Sequence, residues 1–164
     1  MTYRISTPQG AWQPIAETST TQRHPLGTIV TAHEPGTGEG EFIYLTGVAS
    51  TVAGSLVSYN TSTHQTTLAA VGAGVPLPLG VAMSANVASQ YGWYQIGGLS
   101  EVKKASATSL AAGVALGANT GVVIAAATAN AIQGAVVATV ASATSGTAAG
   151  FVTCMINRPA IAVA

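Results

Sequence analysis

Charge is the scarcest property of this chain. Only 6% of its 164 residues are Asp, Glu, Lys or Arg, against roughly a quarter in an ordinary globular domain, and Asp is absent altogether. The two longest stretches, Phe42 to Ser100 and Ala105 to Asn157, carry no charged side chain. Proton transfer and nucleophilic catalysis need a carboxylate, Lys, Cys or His held beside a tuning partner, and within those stretches only His64 and Cys154 qualify. The expectation is therefore a structural or interaction protein, not an enzyme. Formal charge balances at pH 7, so the chain lacks the Lys and Arg excess that holds nucleic acid or an anionic membrane surface. A net charge near zero also gives little colloidal repulsion, which suits a protein fixed in an assembly.

Other scarcities narrow the chemistry further. Cys154 is the single cysteine, which excludes an internal disulfide and a cysteine metal site; within Phe151-Val152-Thr153-Cys154-Met155-Ile156 it reads as a buried, inert thiol. His24, His33 and His64 are irregularly spaced, with no Asp or further Cys to complete a ligand set. The run Gly36-Thr37-Gly38-Glu39-Gly40-Glu41 lacks the Lys-Ser/Thr of a phosphate loop, and its carboxylates would repel phosphate. No Gly-x-Ser-x-Gly nucleophile elbow occurs. No catalytic residue, cofactor or metal is expected. Gly121 to Ala143 is uncharged for about the 20 residues a membrane span requires, but it is built of Ala and Val, carries Asn130 and Gln133, and lacks flanking cations and aromatic anchors. No membrane span is expected there, and the N-terminal residues lack the apolar core of a signal peptide.

What is abundant is Ala, Gly, Thr, Ser and Val, in a length that suits one body or a body with an arm. Six of the ten charged residues lie at or before Glu41, in a segment with Pro8, Pro14, Pro25, Pro35 and the run Thr18-Ser19-Thr20-Thr21. Residues 1–40 are expected to form an extended arm. Tyr3, Ile5, Trp12 and Ile15 are costly to leave in water, so the arm should lie along a surface, with Arg4 and Arg23 alongside them as interface residues.

From Gly27 onward, short runs with period-two alternation are separated by Gly, Pro, Asn and hydroxyl clusters. Strands are expected at Thr28 to Ala32, Glu41 to Thr46, Ser55 to Tyr59, Gln65 to Ala69, Leu79 to Ser84, Gly92 to Gly97, Leu99 to Lys103, Gly113 to Leu116, Val122 to Ala125, Ala131 to Ala138 and Gly150 to Asn157. Asn60-Thr61-Ser62-Thr63 should close a hairpin, and the Ala-rich stretches 105–112 and 125–131 could form short helical turns. The fold class expected is all-β: a small β-barrel or β-sandwich body, residues 41–164, behind the arm. A weak internal repeat divides the body near residues 41–103 and 104–164. Ala53-Gly54-Ser55-Leu56-Val57, Gly80-Val81-Ala82 and Gly92-Trp93-Tyr94-Gln95-Ile96 are followed by Ala112-Gly113-Val114-Ala115-Leu116, Gly134-Ala135-Val136 and Gly150-Phe151-Val152-Thr153-Cys154. That order fits two similar β halves packed into one barrel or sandwich. Tyr91-Gly92-Trp93-Tyr94 is the densest aromatic cluster. It reads as core packing on alternate sheet faces or, for Trp93 and Tyr94, as an oligomer interface.

The segment from about Gly27 to Arg158 resembles the capsid cement, or head decoration, proteins of tailed bacteriophages. The resemblance rests on Gly54-Ser55-Leu56-Val57, Leu79-Gly80-Val81-Ala82, Gly97-Gly98, and the stretch from Ala112-Gly113-Val114-Ala115-Leu116 through Gly134-Ala135-Val136-Val137. It implies a homotrimer on the outer surface of an expanded icosahedral virion shell, with the major capsid protein and adjacent decoration subunits as partners; the interface reading of Trp93 and Tyr94 would place them at the trimer contact. A phage tail or fibre component, or a surface adhesin that binds glycan, is the alternative.

Overall fold

The computed structural model describes residues 4–5, 13–70, 77–105, 110–127, 130–138 and 150–161. Among these no residue is helical, and eleven strands run in order. They are β1 (Arg4–Ile5), β2 (Ile29–Glu34), β3 (Gly38–Thr46), β4 (Leu56–Tyr59), β5 (Thr66–Leu68), β6 (Leu79–Ala82), β7 (Tyr91–Lys104), β8 (Ala115–Asn119), β9 (Val122–Ala125), β10 (Ala131–Val137) and β11 (Gly150–Ile161). The all-β expectation holds. The Ala-rich stretches form no helix where they are described.

The strands close two small rings that share one member. In ring 1, β3 pairs with β7, β7 with β6, β6 with β4 and β4 with β5, and a parallel bridge between Thr46 and Gln65 returns β5 to β3. In ring 2, β7 pairs with β11, β11 with β10, β10 with β8 and β8 with β9, and the parallel pair Lys104 and Val123 returns β9 to β7. The N-terminal half of β7 thus ends one ring and its C-terminal half begins the next.

One glycine pair of the weak sequence repeat, Gly54 and Gly113, takes matching places in the two rings, whereas Gly80 and Gly134, and Gly92 and Gly150, are out of step with the ladders by one and two residues. Gly54 and Gly113 have φ of 81° and 80°, a backbone conformation glycine adopts without strain. Each precedes the first strand of a hairpin and donates its N–H to the carbonyl that ends the paired strand, Ala82 for Gly54 and Val137 for Gly113. The ladders then match over part of their length, and the register shifts of β10 against β8 and β11 have no counterpart in β6. Val57 opposite Leu68 corresponds to Leu116 opposite Ala125, and Ala82 opposite Tyr94 corresponds to Val137 opposite Cys154. The sequence reading put two β halves in one barrel or sandwich; in the all-β body the strands pair as two rings, because β7 is long enough to serve both.

Each ring buries its own interior. Ring 1 encloses Ile43, Leu45, Val57, Ala82, Tyr94 and Ile96. Ring 2 encloses Val102, Leu116, Ala118, Val137, Cys154 and Ile156, in a cluster that also takes in Leu56, Leu79 and Val81 from β4 and β6. The even-numbered residues of β7, Tyr94 through Val102, face these interiors, as the period of two requires. The hairpins turn as their residues dictate. Asn60 Oδ1 accepts the N–H groups of Ser62 and Thr63 at 2.8 and 2.9 Å, while Thr120 and Gly121, both at positive φ, link β8 to β9 in the two-residue loop that suits strand twist.

The N-terminal boundary differs from the expected arm. From residue 13 onward the chain belongs to the body: β2 pairs with β3 from Ile29 to Glu34, and Ile15, Val30 and Ala32 are buried. The physical reason is the outer face of ring 1, where Phe42, Tyr44 and Trp93 form an aromatic surface that needs a cover, and residues 13–32 provide it. Arg4 and Ile5 add as the edge strand β1, opposite His33 and Ala32.

Candidate interaction surfaces

Residues 13–28 form a strap across ring 1, and Gln13 is its latch. Gln13 is completely buried. Its side-chain amide donates to Glu17 O at 2.7 Å and Tyr91 O at 3.2 Å, while Oε1 accepts the Tyr44 hydroxyl at 2.8 Å. Its carbonyl accepts Trp93 Nε1–H at 2.9 Å, and its N–H donates to His24 Nε2 at 3.2 Å. Further along, Ser19 and Tyr91 exchange two backbone bonds of 2.9 and 2.8 Å, and Arg23 N–H donates to the Tyr44 hydroxyl at 3.3 Å. The His24 ring stands edge-on to Tyr44 at 5.1 Å and tilted over Trp93 at 5.5 Å. Burial, and then the Arg23 cation, hold its pKa below the usual histidine value, so the neutral ring that accepts from Gln13 is the favoured form.

The residues singled out from sequence are dispersed by this arrangement. Ile15 is buried under the strap against Val30, Phe42, Tyr44 and Trp93, so its partner is its own chain. Arg23 is exposed on the strap. Arg4 and Ile5 lie on β1 at the β2 edge; Tyr3 and Trp12 lie outside the described residues. Trp93 and Tyr94 occupy opposite faces of β7, Trp93 under the strap and Tyr94 inside ring 1. Both are fully buried, which leaves no surface for an oligomer contact on either ring. Burial pushes the Tyr94 phenol up to about 12.

No protein-family model matches the chain, and no curated protein matches it in sequence.

Ionisable groups are dispersed as well. Among the described residues no group of three or more His, Cys, Asp or Glu side chains could hold a metal ion. The Cys154 thiol lies inside ring 2, where burial pushes its pKa up to about 12, so it is not a ready nucleophile. An open cleft of about 520 Å³ is lined by Glu39, Glu41, Gly97, Gly98, Asn157 and Arg158 among others. Glu41 and Arg158 pair across it at 3.2 Å with both side chains well exposed, an arrangement worth at most about 1 kcal/mol.

The surface that sequence reasoning missed is on ring 2. Phe151, Met155 and Val136 are exposed at 43%, 46% and 38%. Phe151 and Met155 share one face of β11, and Val136 stands directly opposite Met155. The opposite face of β11 is Val152, Cys154 and Ile156 in the core. The signal was present in Phe151-Val152-Thr153-Cys154-Met155-Ile156: a strand apolar on both faces is either buried on both or leaves one for a partner.

Proposed function

We propose that this chain is a structural virion protein that binds the outer surface of an icosahedral phage shell as a homotrimer and stabilises the expanded form, with the major capsid protein as its principal partner. The observation that carries the reading is the way the N-terminal segment is built to lie along a sheet. β1 extends the β2 edge by backbone pairing, and the strap runs over ring 1, a mode that also joins one chain to another by strand addition. The twin-ring body supports it. Its rings are filled with side chains, its surface carries few charges, and its ionisable groups are scattered, which fits a protein that contributes area and rigidity. A cyclic trimer would engage three symmetry-related shell surfaces at once, so modest contacts combine into slow dissociation.

The test is co-sedimentation of the purified protein with expanded, undecorated shells. Saturation at a stoichiometry set by the three-fold positions supports the reading. Absence of binding to intact shells refutes it and turns attention to a tail, fibre or adhesin role, which copy number per virion would then resolve.

A further inference from the structure

We propose that the cleft between β3, β7 and β11, lined by Glu39, Glu41, Asn157 and Arg158, binds a neutral saccharide of one or two sugar units. The inference goes beyond the shell-binding reading and does not rest on it.

Irregularities of the sheet converge on this cleft. The register sets Thr31, Glu41, Gly97 and Asn157 opposite one another across β2, β3, β7 and β11, and all four line it. On one wall the β3–β7 ladder slips between Glu41 and Phe42. On the other, β11 runs from Ile156 to Ala160 while β10 passes only from Ala135 to Gln133. Inside that bulge Arg158 holds a φ of 43°. Bulges re-aim side chains and recur beside active sites, and a left-handed residue other than glycine is a cost that points to function. Here the bulge carries the Arg158 guanidinium across to Glu41, at 3.2 Å. Gly97 adds no side chain to the floor, where a Cβ would meet the Glu41 side chain at 3.3 Å.

Charge, scarce elsewhere, is gathered at this place. Glu39, Glu41 and Arg158 are three of the ten charged residues of the chain. The cleft volume of about 520 Å³ lies within the range of small-molecule sites, about 300–1,000 Å³.

The polar groups select the ligand. An anion would meet the carboxylates of Glu39 and Glu41. A metal ion would meet the Arg158 cation, and among the described residues no group of three ligating side chains surrounds it. A zwitterion such as an amino acid would have to break the Glu41–Arg158 pair to place both of its charges. An extended peptide finds no strand edge to join, because Gly97 of β7 is paired with β3 on one side and β11 on the other. A sugar needs none of these changes. Nη2 of Arg158 makes the contacts with Glu41, and a guanidinium carries five N–H donors in a fixed fork. Donors therefore remain beside the carboxylate acceptors and the Asn157 amide, which both donates and accepts. Adjacent hydroxyls of a sugar ring do the same, and the exposed Met155 at the rim offers an apolar contact to the C–H face of the ring.

The test is titration of the isotope-labelled full chain with the methyl glycosides of glucose, galactose, mannose and N-acetylglucosamine, and with lactose and maltose, each to about 50 mM. At least one should give saturable amide shifts at residues 39–41, 97–98 and 155–158, with a Kd of roughly 1–10 mM. Arg158→Gly removes the guanidinium at a backbone conformation that glycine prefers, so the shifts should vanish while the thermal midpoint holds or rises. Glu41→Gln keeps the shape of the wall and should weaken saccharide binding about threefold or more. Acetate, methylammonium and glycine at the same concentration should give no saturable shift there. The proposal is overturned if no saccharide gives saturable shifts, if the shifts fall elsewhere, or if they survive both substitutions. It is also overturned if an ionic probe reproduces them, which would make the cleft an ion site.

Discussion

Replacing Gln13 by Ala tests whether one buried amide holds the strap to ring 1. The substitution removes the bonds from Nε2 to Glu17 O and Tyr91 O and the bond that Oε1 accepts from the Tyr44 hydroxyl. Tyr91 O keeps the Ser19 N–H and Glu17 O keeps the Ser84 hydroxyl at 3.3 Å, so the group stranded is the donor side of Tyr44. Each net hydrogen bond is worth about 1 kcal/mol, with an added penalty where a buried partner is orphaned. The expected loss is about 2–3 kcal/mol. For a chain of this size that corresponds to a fall in thermal midpoint of about 5–10 °C. Calorimetry reads the fall, and amide exchange at Ser19 and Tyr91 locates it: if the strap opens ahead of the body, those two amides lose protection first. A midpoint within about 1 °C of wild type, together with unchanged exchange at both amides, would refute the assignment of Gln13 as the latch.

Two further perturbations probe the same architecture. Because the packed strap favours neutral His24, a detached strap binds the extra proton more readily. Strap attachment is therefore fully supported above about pH 6.5 and is lost as pH falls through the lower folded value. The resonance of Trp93 Nε1–H, which donates to Gln13 O, should shift toward its detached position as pH is lowered from 7.5 to 5; persistence of that titration in His24→Phe would count against His24 as its source. The glycines at positive φ separate strain from collision. A Cβ at Gly98 would meet Glu39 O at 2.4 Å, whereas one at Gly113 meets nothing within 4 Å. Gly98→Ala should cost about 3 kcal/mol or more and Gly113→Ala about 1 kcal/mol, a ranking that urea unfolding would reverse if the β3–β7 junction were loose.

Most strands were legible because small, β-branched and aromatic residues alternate between Gly, Pro and Asn punctuation, and the Asn60 turn announced its hairpin by side-chain chemistry alone. β7 was read as two strands because Gly97-Gly98 looks like a break. In fact the ladder passes through it, with Gly98 at φ 95° lying against the backbone of Glu39 and a register shift between Glu41 and Phe42. Ile15 looked like an interface residue, and Trp93 was left between core and interface, because local sequence cannot reveal that residue 13 returns to cover residue 93; only the closed ring brings them together. The same limit hid the ring 2 face. Phe151 and Met155 are ordinary strand residues until the fold shows that nothing described stands where the strap stands on ring 1.

The shared strand sets a rule for growth. A ring of five strands that lends its last strand to the next ring needs only four new strands per addition, and β7 is long because it spans that join. Such a chain extends like links closed on a common bar: a break in the middle of β7 would open both rings together, and a third ring could be added by lengthening β11 without redesigning either of the first two.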